Sequence, residues 1–311
     1  MRNLAGRGHT VTVVDNLAKK TEDGKTVDPP DFTGAGDVRV DNKDVFLYDS
    51  FDLRDVDTVF HLAAKIGGIK YFHKYPATIL RANDALTHYV LALCVEAGVK
   101  RIVYTSSSMV FEQAKLIPTP ESYINETPLP LSAYGFSKLA GEVACKAAQE
   151  EYGLEYVIAR PFNAYGEGEM PEDEVGIAHV IPDLLKKAMS GQYPLEILGD
   201  GEQTRAYSYV TEVADGIAVV GLGGRVNGDF NIGSDEEVNI RMIADVVWKT
   251  VGRTKPLKFT HMPAYKYDVR RRCPDVGKMR SVYGWEAKIG LEEGVSRTYQ
   301  YLKERRIRRE S

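Results

Sequence analysis

Hydrophobic positions in the first half of the chain follow two spacings, one typical of strands and one typical of helices. Short apolar runs predict strands, and apolar residues three and four positions apart predict helices. The predicted strands are residues 10–14, 58–62, 101–106 and 156–160, and the two clearest predicted helices are residues 77–97 and 134–152. Gly98 and Gly153 follow these helices, where a glycine commonly ends a helix. This alternation predicts an α/β fold built on a parallel sheet.

The pattern changes after Pro161, where glycine, proline and aromatic residues become more frequent and the predicted elements become shorter. These elements are a helix over 180–190, strands over 195–198 and 205–210, and a helix over 213–220. We therefore predict a doubly wound domain over residues 1–162 and a smaller α/β lobe over residues 163–311. Segments around residues 205–220 are expected to return to the first domain.

Composition and charge exclude several classes of protein. The 311 residues carry 40 lysines and arginines against 44 aspartates and glutamates, so the formal net charge is −4. Binding to nucleic acid or to an anionic membrane surface needs a positive field, so we expect neither partner. No apolar run approaches the ~18 residues of a membrane span. Cys94, Cys145 and Cys273 form no CxxC pair or zinc pattern, so we expect a cytoplasmic protein without a bound metal.

Residues able to do chemistry are concentrated at the end of one predicted strand and the start of the next long helix. The strand runs into Ser106, Ser107 and Ser108, and the helix begins with Tyr134 and carries Lys138 four positions later. Tyr and Lys at this spacing share a helix face and are common by chance, but the serine triplet distinguishes this pair. We expect Lys138 to lower the pKa of Tyr134 towards neutrality, so that Tyr134 acts as a general base on a sugar hydroxyl.

Eight short motifs occur in the order found in one known family. They are DNL, HLAA, SSSMVF, YGFSK, RPFNAYG, HVIP, GDGEQTR and FNIGS. With them the chain resembles the extended short-chain dehydrogenases/reductases that act on nucleotide sugars, the NAD-dependent epimerase/dehydratase family, over about residues 9–284. The resemblance implies a Rossmann-like doubly wound sheet, NAD as the cofactor and a nucleotide-diphosphate sugar as the substrate, bound mainly by the second lobe.

The resemblance also implies roles for residues around the reaction and the cofactor. Tyr134 corresponds to the catalytic base, Ser107 to the catalytic Ser/Thr, and Lys138 to the lysine that assists the tyrosine and binds the nicotinamide ribose. The implied cofactor-binding residues are Asp15 at the adenosine ribose, Ala63 and Ala64 as small residues that let the backbone approach, Asn83 and Ser106. The alternatives are tight helix–strand packing for the two alanines and an exposed helix position for Asn83.

The substrate-side residues implied by the resemblance lie mostly in the second half. They are Asn163 and Arg205 at the diphosphate, Asp268 at the nucleoside ribose, and Ser108 and His179 as further substrate-binding residues. An arginine suits a diphosphate because its planar fork matches phosphate oxygens. A surface arginine and a helix-capping histidine are the alternatives for Arg205 and His179. Tyr265 stands where the family usually has an arginine, which leaves the nucleotide base open.

Two positions separate the reactions of the family. Met109 stands where the GDP-fucose synthase and GDP-mannose 3,5-epimerase branch has a proton-exchanging cysteine, although His179 resembles the basic residue of that branch. Ser108 and Met109 stand where the 4,6-dehydratases carry Asp-Glu. The remaining chemistry is epimerisation at C4 through a transient 4-keto sugar. A GDP-sugar keto-epimerase/reductase and a catalytically silent nucleotide-sugar-binding protein are the alternatives.

The opening residues bear on how a cofactor is held. Asp15 ends a predicted strand that a glycine-rich turn should precede by about 20 residues, so we expect the sequence to lack the first strand and that turn. It is then either a shortened form of an ordinary enzyme, which we favour, or a short protein that binds without turnover. Glycine-rich stretches from Phe32 and from Gly221 are predicted loops and not replacements.

Asp15 also favours NAD over NADP because a carboxylate repels a 2′-phosphate, with Arg7 as the nearby residue that argues the other way. Members of the family commonly pair through two long helices. We therefore expect a homodimer through helices 77–97 and 134–152.

Overall fold

The computed structural model describes residues 1–17, 37–169, 179–264 and 269–310. Asp268 and Tyr265 lie outside these ranges, as does nearly all of the glycine-rich stretch from Phe32. The helices are α1 (Arg2–Ala5), α2 (Ile69–Lys74), α3 (Pro76–Ala97), α4 (Ala133–Tyr152), α5 (Val180–Ser190), α6 (Val210–Leu222), α7 (Ile240–Thr250), α8 (Gly277–Tyr283) and α9 (Leu291–Glu310).

The strands follow the same chain order. They are β1 (Val11–Val14), β2 (Val38–Asp41), β3 (Thr58–His61), β4 (Arg101–Thr105), β5 (Glu155–Pro161), β6 (Ala164–Tyr165), β7 (Leu195–Leu198), β8 (Thr204–Ala206), β9 (Ser208–Tyr209), β10 (Gly228–Ile232), β11 (Glu237–Asn239), β12 (Phe259–Met262) and β13 (Arg271–Arg272).

Four parallel strands form the central sheet in the order β10-β5-β4-β3. The pattern of the first half is therefore confirmed as α/β with a parallel sheet. The predicted strand at residues 10–14 lies elsewhere, since β1 pairs in parallel with β2 in a ladder of its own. Among the described residues, no strand pairing joins that ladder to β3.

Helices cover both faces of the central sheet. The long helices α3 and α4 pack against β4 on one side, and α6 packs against β4, β5 and β10 on the other, which confirms the double winding. Gly98 and Gly153 end α3 and α4 in the left-handed conformation, with φ of 69° and 76°. The loop predicted to begin at Gly221 begins later, because Gly221 and Leu222 are the last residues of α6. Gly221 lies against the ring of Phe60.

The later part of the chain builds a second core from α5, α7, α9 and β7, around Ile181, Leu185 and Ile243. Helix 180–190 and strand 195–198 are confirmed. The predicted strand 205–210 is wrong, because two short strands with different partners replace it and Val210 already begins α6. Strand β8 pairs with β11 and β13, whereas β9 pairs with β6.

Three further features bear on the expectations above. The three cysteines are buried and unpaired. Within the described ranges, no helix is both long and apolar enough to cross a bilayer. Arg7 is paired with Asp215 on α6, with 2.8 Å between its Nη2 and the carboxylate Oδ1.

Candidate active site

The site is built where β4 ends and α4 begins. Ser107 starts a single 3-10 turn at Ser108–Phe111, and its hydroxyl accepts a hydrogen bond from the backbone N–H of Met109 at 3.2 Å. Ser132 caps α4 by accepting from the N–H of Gly135 at 3.0 Å. These two caps fix the strand end and the helix start, and so they fix the position of Tyr134 in the first turn of α4.

Tyr134 is buried, with 3% of its surface exposed. The ring of Phe72 on α2 stacks on it, with 4.6 Å between centroids and 8° between planes. Burial raises the pKa of Tyr134 to about 12, against a hydrogen bond with Ser107 and the charge of Arg272, which both lower it. The prediction that Lys138 brings this pKa towards neutrality is wrong for this structure, because burial outweighs the groups that lower it.

Lys138 directs its ammonium group at the strand end instead of the phenol. Its Nζ donates to the carbonyl oxygen of Thr105 at 2.8 Å and lies 6.0 Å from the centroid of the Tyr134 ring. Burial lowers the pKa of Lys138 to about 8, although the carboxylate of Glu142 acts in the opposite direction. Lys138 therefore holds its proton only while neighbouring oxygens compensate for lost water.

The residues expected on the cofactor side lie at the ends of β1, β3 and β4. Asp15 is exposed just after β1, Ala63 is exposed and Ala64 is half-buried after β3. The alternative of tight packing is therefore wrong for Ala63, whereas the half-buried Ala64 does not decide it. Asn83 is buried on α3, where its Oδ1 accepts from the N–H of Lys65 at 2.7 Å, so the exposed-position alternative for Asn83 is also wrong.

Asn83 and Ser106 both connect elements of the site. The Nδ2 of Asn83 donates to the Ser137 hydroxyl on α4 at 3.2 Å, which joins α3, α4 and the segment after β3. Ser106 is buried, and its hydroxyl donates to Glu142 Oε1 at 2.6 Å. The Ser106 side chain is thus directed into the core beneath the site.

Two arginines and Asn163 lie close together on the side where the substrate is expected. Asn163 adopts a left-handed conformation with φ of 40°; its Nδ2 donates to the carbonyl of Ala206 at 2.7 Å. Its Oδ1 accepts from Arg272 Nη2 at 2.8 Å. Arg205 is buried on β8, which excludes the surface alternative, and it is the register partner of Arg272 on β13. Partners in adjacent strands share a sheet face, so the two side chains leave the sheet on the same side.

The other two predicted substrate-side residues within the described ranges, Ser108 and His179, make no described contact with Asn163 or Arg205. Ser108 is buried behind Ser107. His179 is the N-cap residue of α5, as its capping alternative expected, but its side chain makes no capping hydrogen bond. Its Nδ1 pairs with the Glu169 carboxylate instead. No described contact connects His179 with Tyr134.

Sequence reasoning missed Arg272 and Phe72 at the site. Arg272 reaches the sulfur of Met109 across the two lobes, and its charge acts on Tyr134. It lies in a run of three arginines, and only the strand register shows that Arg271 pairs outward with Glu237 while Arg272 turns inward. The run of three arginines was therefore visible in the sequence, but the sequence alone did not show which of them faces the site.

A buried tyrosine beside serine and lysine, at the carboxyl edge of a doubly wound sheet, defines an enzyme of the short-chain dehydrogenase/reductase type. The chain belongs to the NAD dependent epimerase/dehydratase family, whose model matches residues 1–233.

Individual relatives differ in reaction. A putative UDP-glucose 4-epimerase of Methanocaldococcus jannaschii is 30% identical over 306 residues, covering 96% of this chain and 92% of that protein. UDP-glucuronic acid decarboxylase 1 of Xenopus tropicalis is 29% identical over 300 residues, covering 95% and 67%. The structure of UDP-glucose 4-epimerase from Thermotoga maritima, solved with UDP-glucose, aligns with a TM-score of 0.82 at 28% identity, covering 97% of this chain and 93% of that chain. The expected family and fold are confirmed, and NAD is the cofactor of the family.

Proposed function

We propose that the protein inverts C4 of a nucleotide-diphosphate sugar by transient oxidation to the 4-keto sugar with NAD. The observation that carries the proposal is the Tyr134–Ser107 pair with Met109 and Ser108 next to it. The thioether of Met109 has no proton to exchange at C3 or C5. Neither Ser108 nor Met109 supplies the acid and base that elimination of water needs.

The described residues fit NAD on its ribose and nicotinamide sides. Asp15 offers an exposed carboxylate for ribose hydroxyls, and Ala63 leaves the end of β3 open. Beside Lys138, the hydroxyl of Thr105 is buried without a hydrogen-bond partner among the described residues, so a polar group there would satisfy it. Because Arg7 is paired with the carboxylate of Asp215, its attraction for a 2′-phosphate is partly offset. When bound, NAD supplies the hydride acceptor and donor.

The protein's own side chains account for the proton and for the sugar's position. Tyr134 takes the proton from the C4 hydroxyl, and the Ser107 hydroxyl holds the same oxygen by a hydrogen bond. With a pKa of about 12, the phenol is protonated at neutral pH, so it needs cationic neighbours to release its proton. Arg272 is the cationic neighbour that lowers the pKa of Tyr134, and the hydrogen bond with Ser107 acts in the same direction.

Inversion at C4 requires that the keto sugar present its other face. Arg205, Arg272 and Asn163 hold the diphosphate at the junction of the lobes, which leaves the sugar ring attached through a rotatable link. After the ring turns, Tyr134 returns the proton to the C4 oxygen. The burial of Tyr134 excludes water while the ketone exists.

We also propose that the protein works as a cytoplasmic homodimer. Three buried, unpaired cysteines are typical of a reducing compartment. The outer surfaces of α3 and α4 supply the apolar positions that a dimer of this family type would cover.

Replacing Tyr134 with Phe tests the reaction. We expect interconversion of UDP-glucose and UDP-galactose by the wild type with NAD, and a decrease in kcat of about 10²- to 10⁴-fold for Tyr134→Phe. NAD binding and the circular dichroism spectrum should not change, because the ring and its packing on Phe72 remain. Tyr152→Phe, an exposed tyrosine at the far end of α4, is the matched control and should keep full activity.

Two results would contradict the proposal. Binding of NAD and of UDP- and GDP-sugars without any turnover would identify a silent binding protein. Exchange of protons at C3 and C5, or net reduction of a keto sugar, would identify the keto-epimerase/reductase chemistry instead.

A further inference from the structure

A fully buried ion pair lies directly beneath the site. Neither Glu142 nor Arg160 exposes any surface to solvent. The Arg160 Nε donates to Glu142 Oε1 at 2.8 Å, and its Nη2 donates to Oε2 at 2.7 Å. The remaining nitrogen, Nη1, lies 2.7 Å from Asp229 Oδ2, and Asp229 also pairs with Lys278. Every charge in this network therefore has a partner.

The network connects the elements that carry the catalytic groups. Glu142 lies on α4, one turn after Lys138 and two turns after Tyr134, so all three share a helix face. The same Oε1 that binds Arg160 also accepts from Ser106, the residue before Ser107. Glu142 thus holds the end of β4, while Arg160 on β5 holds Glu142.

Such a pair is not required for stability, because apolar side chains of similar volume often serve equally well in a core. Its geometry suggests a different reason for its presence. A bidentate guanidinium–carboxylate pair fixes both the distance between two side chains and their relative orientation. Apolar packing fixes these two quantities less narrowly.

We propose that Glu142, held by Arg160, is a positioning residue: it sets the end of β4 against α4, so that Ser107 meets Tyr134, and it keeps the Lys138 ammonium group charged. The proposal rests on the proposed function in that these groups perform the reaction. Neither Glu142 nor Arg160 touches the substrate in this role.

The charge of Glu142 is felt by Lys138. The titratable groups that face Lys138 are Tyr134 and Glu142 on α4, Tyr104 on β4 and His61 on β3. Burial raises the pKa of Tyr104 and lowers that of His61, so both are uncharged near neutral pH. Glu142 is therefore the anion that favours the charged form of Lys138.

The first experiment compares Glu142→Gln with Glu151→Gln, which changes an exposed carboxylate on the same helix. We expect Glu142→Gln to lower kcat about 10- to 100-fold with KM nearly unchanged, because the diphosphate is held by the other lobe. The alkaline limb of the kcat profile should also move to lower pH. Ser106→Ala should lower kcat in the same way but leave that limb in place, since it removes the hydrogen bond without removing a charge.

A second variant separates positioning from stability. Glu142→Met combined with Arg160→Met removes both charges, so no buried charge of the pair is left uncompensated, and Asp229 keeps Lys278. We expect this double variant to unfold near the wild-type denaturant concentration and still to have low kcat. Wild-type kcat in Glu142→Gln, or recovery of kcat in the double variant, would overturn the proposal.

A measurement without substrate distinguishes this proposal from the proposed function. Between about pH 8 and pH 10.5 the unfolded chain retains the Lys138 proton that the folded chain has lost, so the free energy of unfolding rises with pH. In Glu142→Gln this rise should begin at lower pH, whereas Glu151→Gln should match the wild type. An inactive wild type that shows this shift would contradict only the proposed function, and an unchanged onset in Glu142→Gln would contradict the inference.

Discussion

Burial shifts three titratable side chains around the site towards their neutral forms. It raises the pKa of Tyr134 to about 12, lowers that of Lys138 to about 8 and lowers that of His61 to about 3. The groups that favour ionisation of Tyr134 are Ser107 and Arg272. Proton transfer at this site therefore depends on neighbouring charges, and Arg272 contributes one from the other lobe.

His61 gives a prediction about acid stability. It is 5% exposed, and its Nε2 lies 3.3 Å from the Thr87 hydroxyl oxygen. Because its folded pKa of about 3 is below the ordinary 6.5, its neutral form stabilises the folded chain above pH 6.5 and this contribution is lost as the pH falls. At about pH 5 the loss should be about 2 kcal/mol, measured by urea unfolding relative to neutral pH.

The matched variants are His61→Gln and His9→Gln, the second at an exposed histidine. The decrease in the free energy of unfolding between neutral pH and pH 5 should be smaller in His61→Gln and unchanged in His9→Gln. Equal acid losses in the wild type and in His61→Gln would show that His61 does not carry this dependence.

The sequence assigns Tyr134, Lys138 and Ser107 their expected roles from a short local motif, and the structure places all three where β4 ends and α4 begins. The sequence did not give the direction of the Tyr134 pKa, since that depends on how completely the fold buries the phenol. It also could not select Arg272, whose contacts with Met109 and Asn163 span more than one hundred positions. Local chemistry is therefore readable from the sequence, and the electrostatics of the folded site are not.

At the scale of elements, the approach of α4 to β4 depends on Gly141. A Cβ atom built at Gly141 would lie 2.1 Å from the hydroxyl oxygen of Tyr104, a contact that real structures do not allow. Gly141→Ala should therefore lower the free energy of unfolding by about 1–3 kcal/mol. This would occur although alanine favours a helix interior by about 1 kcal/mol over glycine.

The same substitution should lower kcat, because Gly141 lies between Lys138 and Glu142 on α4 and a displaced helix would move both. Gly290→Ala is the control, since a Cβ atom there meets nothing within 4 Å. Urea unfolding and kcat measured on both variants would test the prediction. An unchanged Gly141→Ala protein would show that α4 and β4 tolerate a wider separation.

Elements with a clear apolar pattern were predicted well, whereas the short strands between β7 and α6 were not. The apolar spacing of α3 and α4 gave their bounds to within one residue, as did the runs of β3, β4 and β5. The segment 205–210 was predicted as one strand because its composition is strand-like throughout. Its division into β8, β9 and the start of α6 follows from pairing with separate partners, which a local pattern does not contain.

At the scale of the molecule, the chain passes more than once between its two cores. Helix α6 and strand β10 complete the central sheet from the second half of the sequence, while β13 carries Arg272 back to Met109. The proposed boundary at residue 162 therefore does not divide the structure into two separate parts, because later segments return to the first core. Both parts contribute to the site, so changes in how they meet should affect substrate binding and proton transfer together.

The outer face of α4 carries an apolar stripe that predicts how two molecules pair. Phe136 and Val143 are 42% and 59% exposed, and Ala140 and Ala147 lie on the same face. Exposed alanines at positions 85 and 92 of α3 lie on the adjoining helix. Such a contiguous apolar surface is typical of a protein interface.

We expect sedimentation equilibrium to give a dimer for the wild type and a monomer for Val143→Lys, because each dimer would bury two unpaired ammonium groups at the symmetric helix contact. Val282→Lys is the control: Val282 is also exposed but lies on α8, on the opposite side of the sheet, and its variant should remain dimeric. A monomeric wild type at micromolar concentration would contradict pairing through α3 and α4. If Val143→Lys remains a dimer, the molecules pair through another surface, and the stripe on α4 then has a different partner.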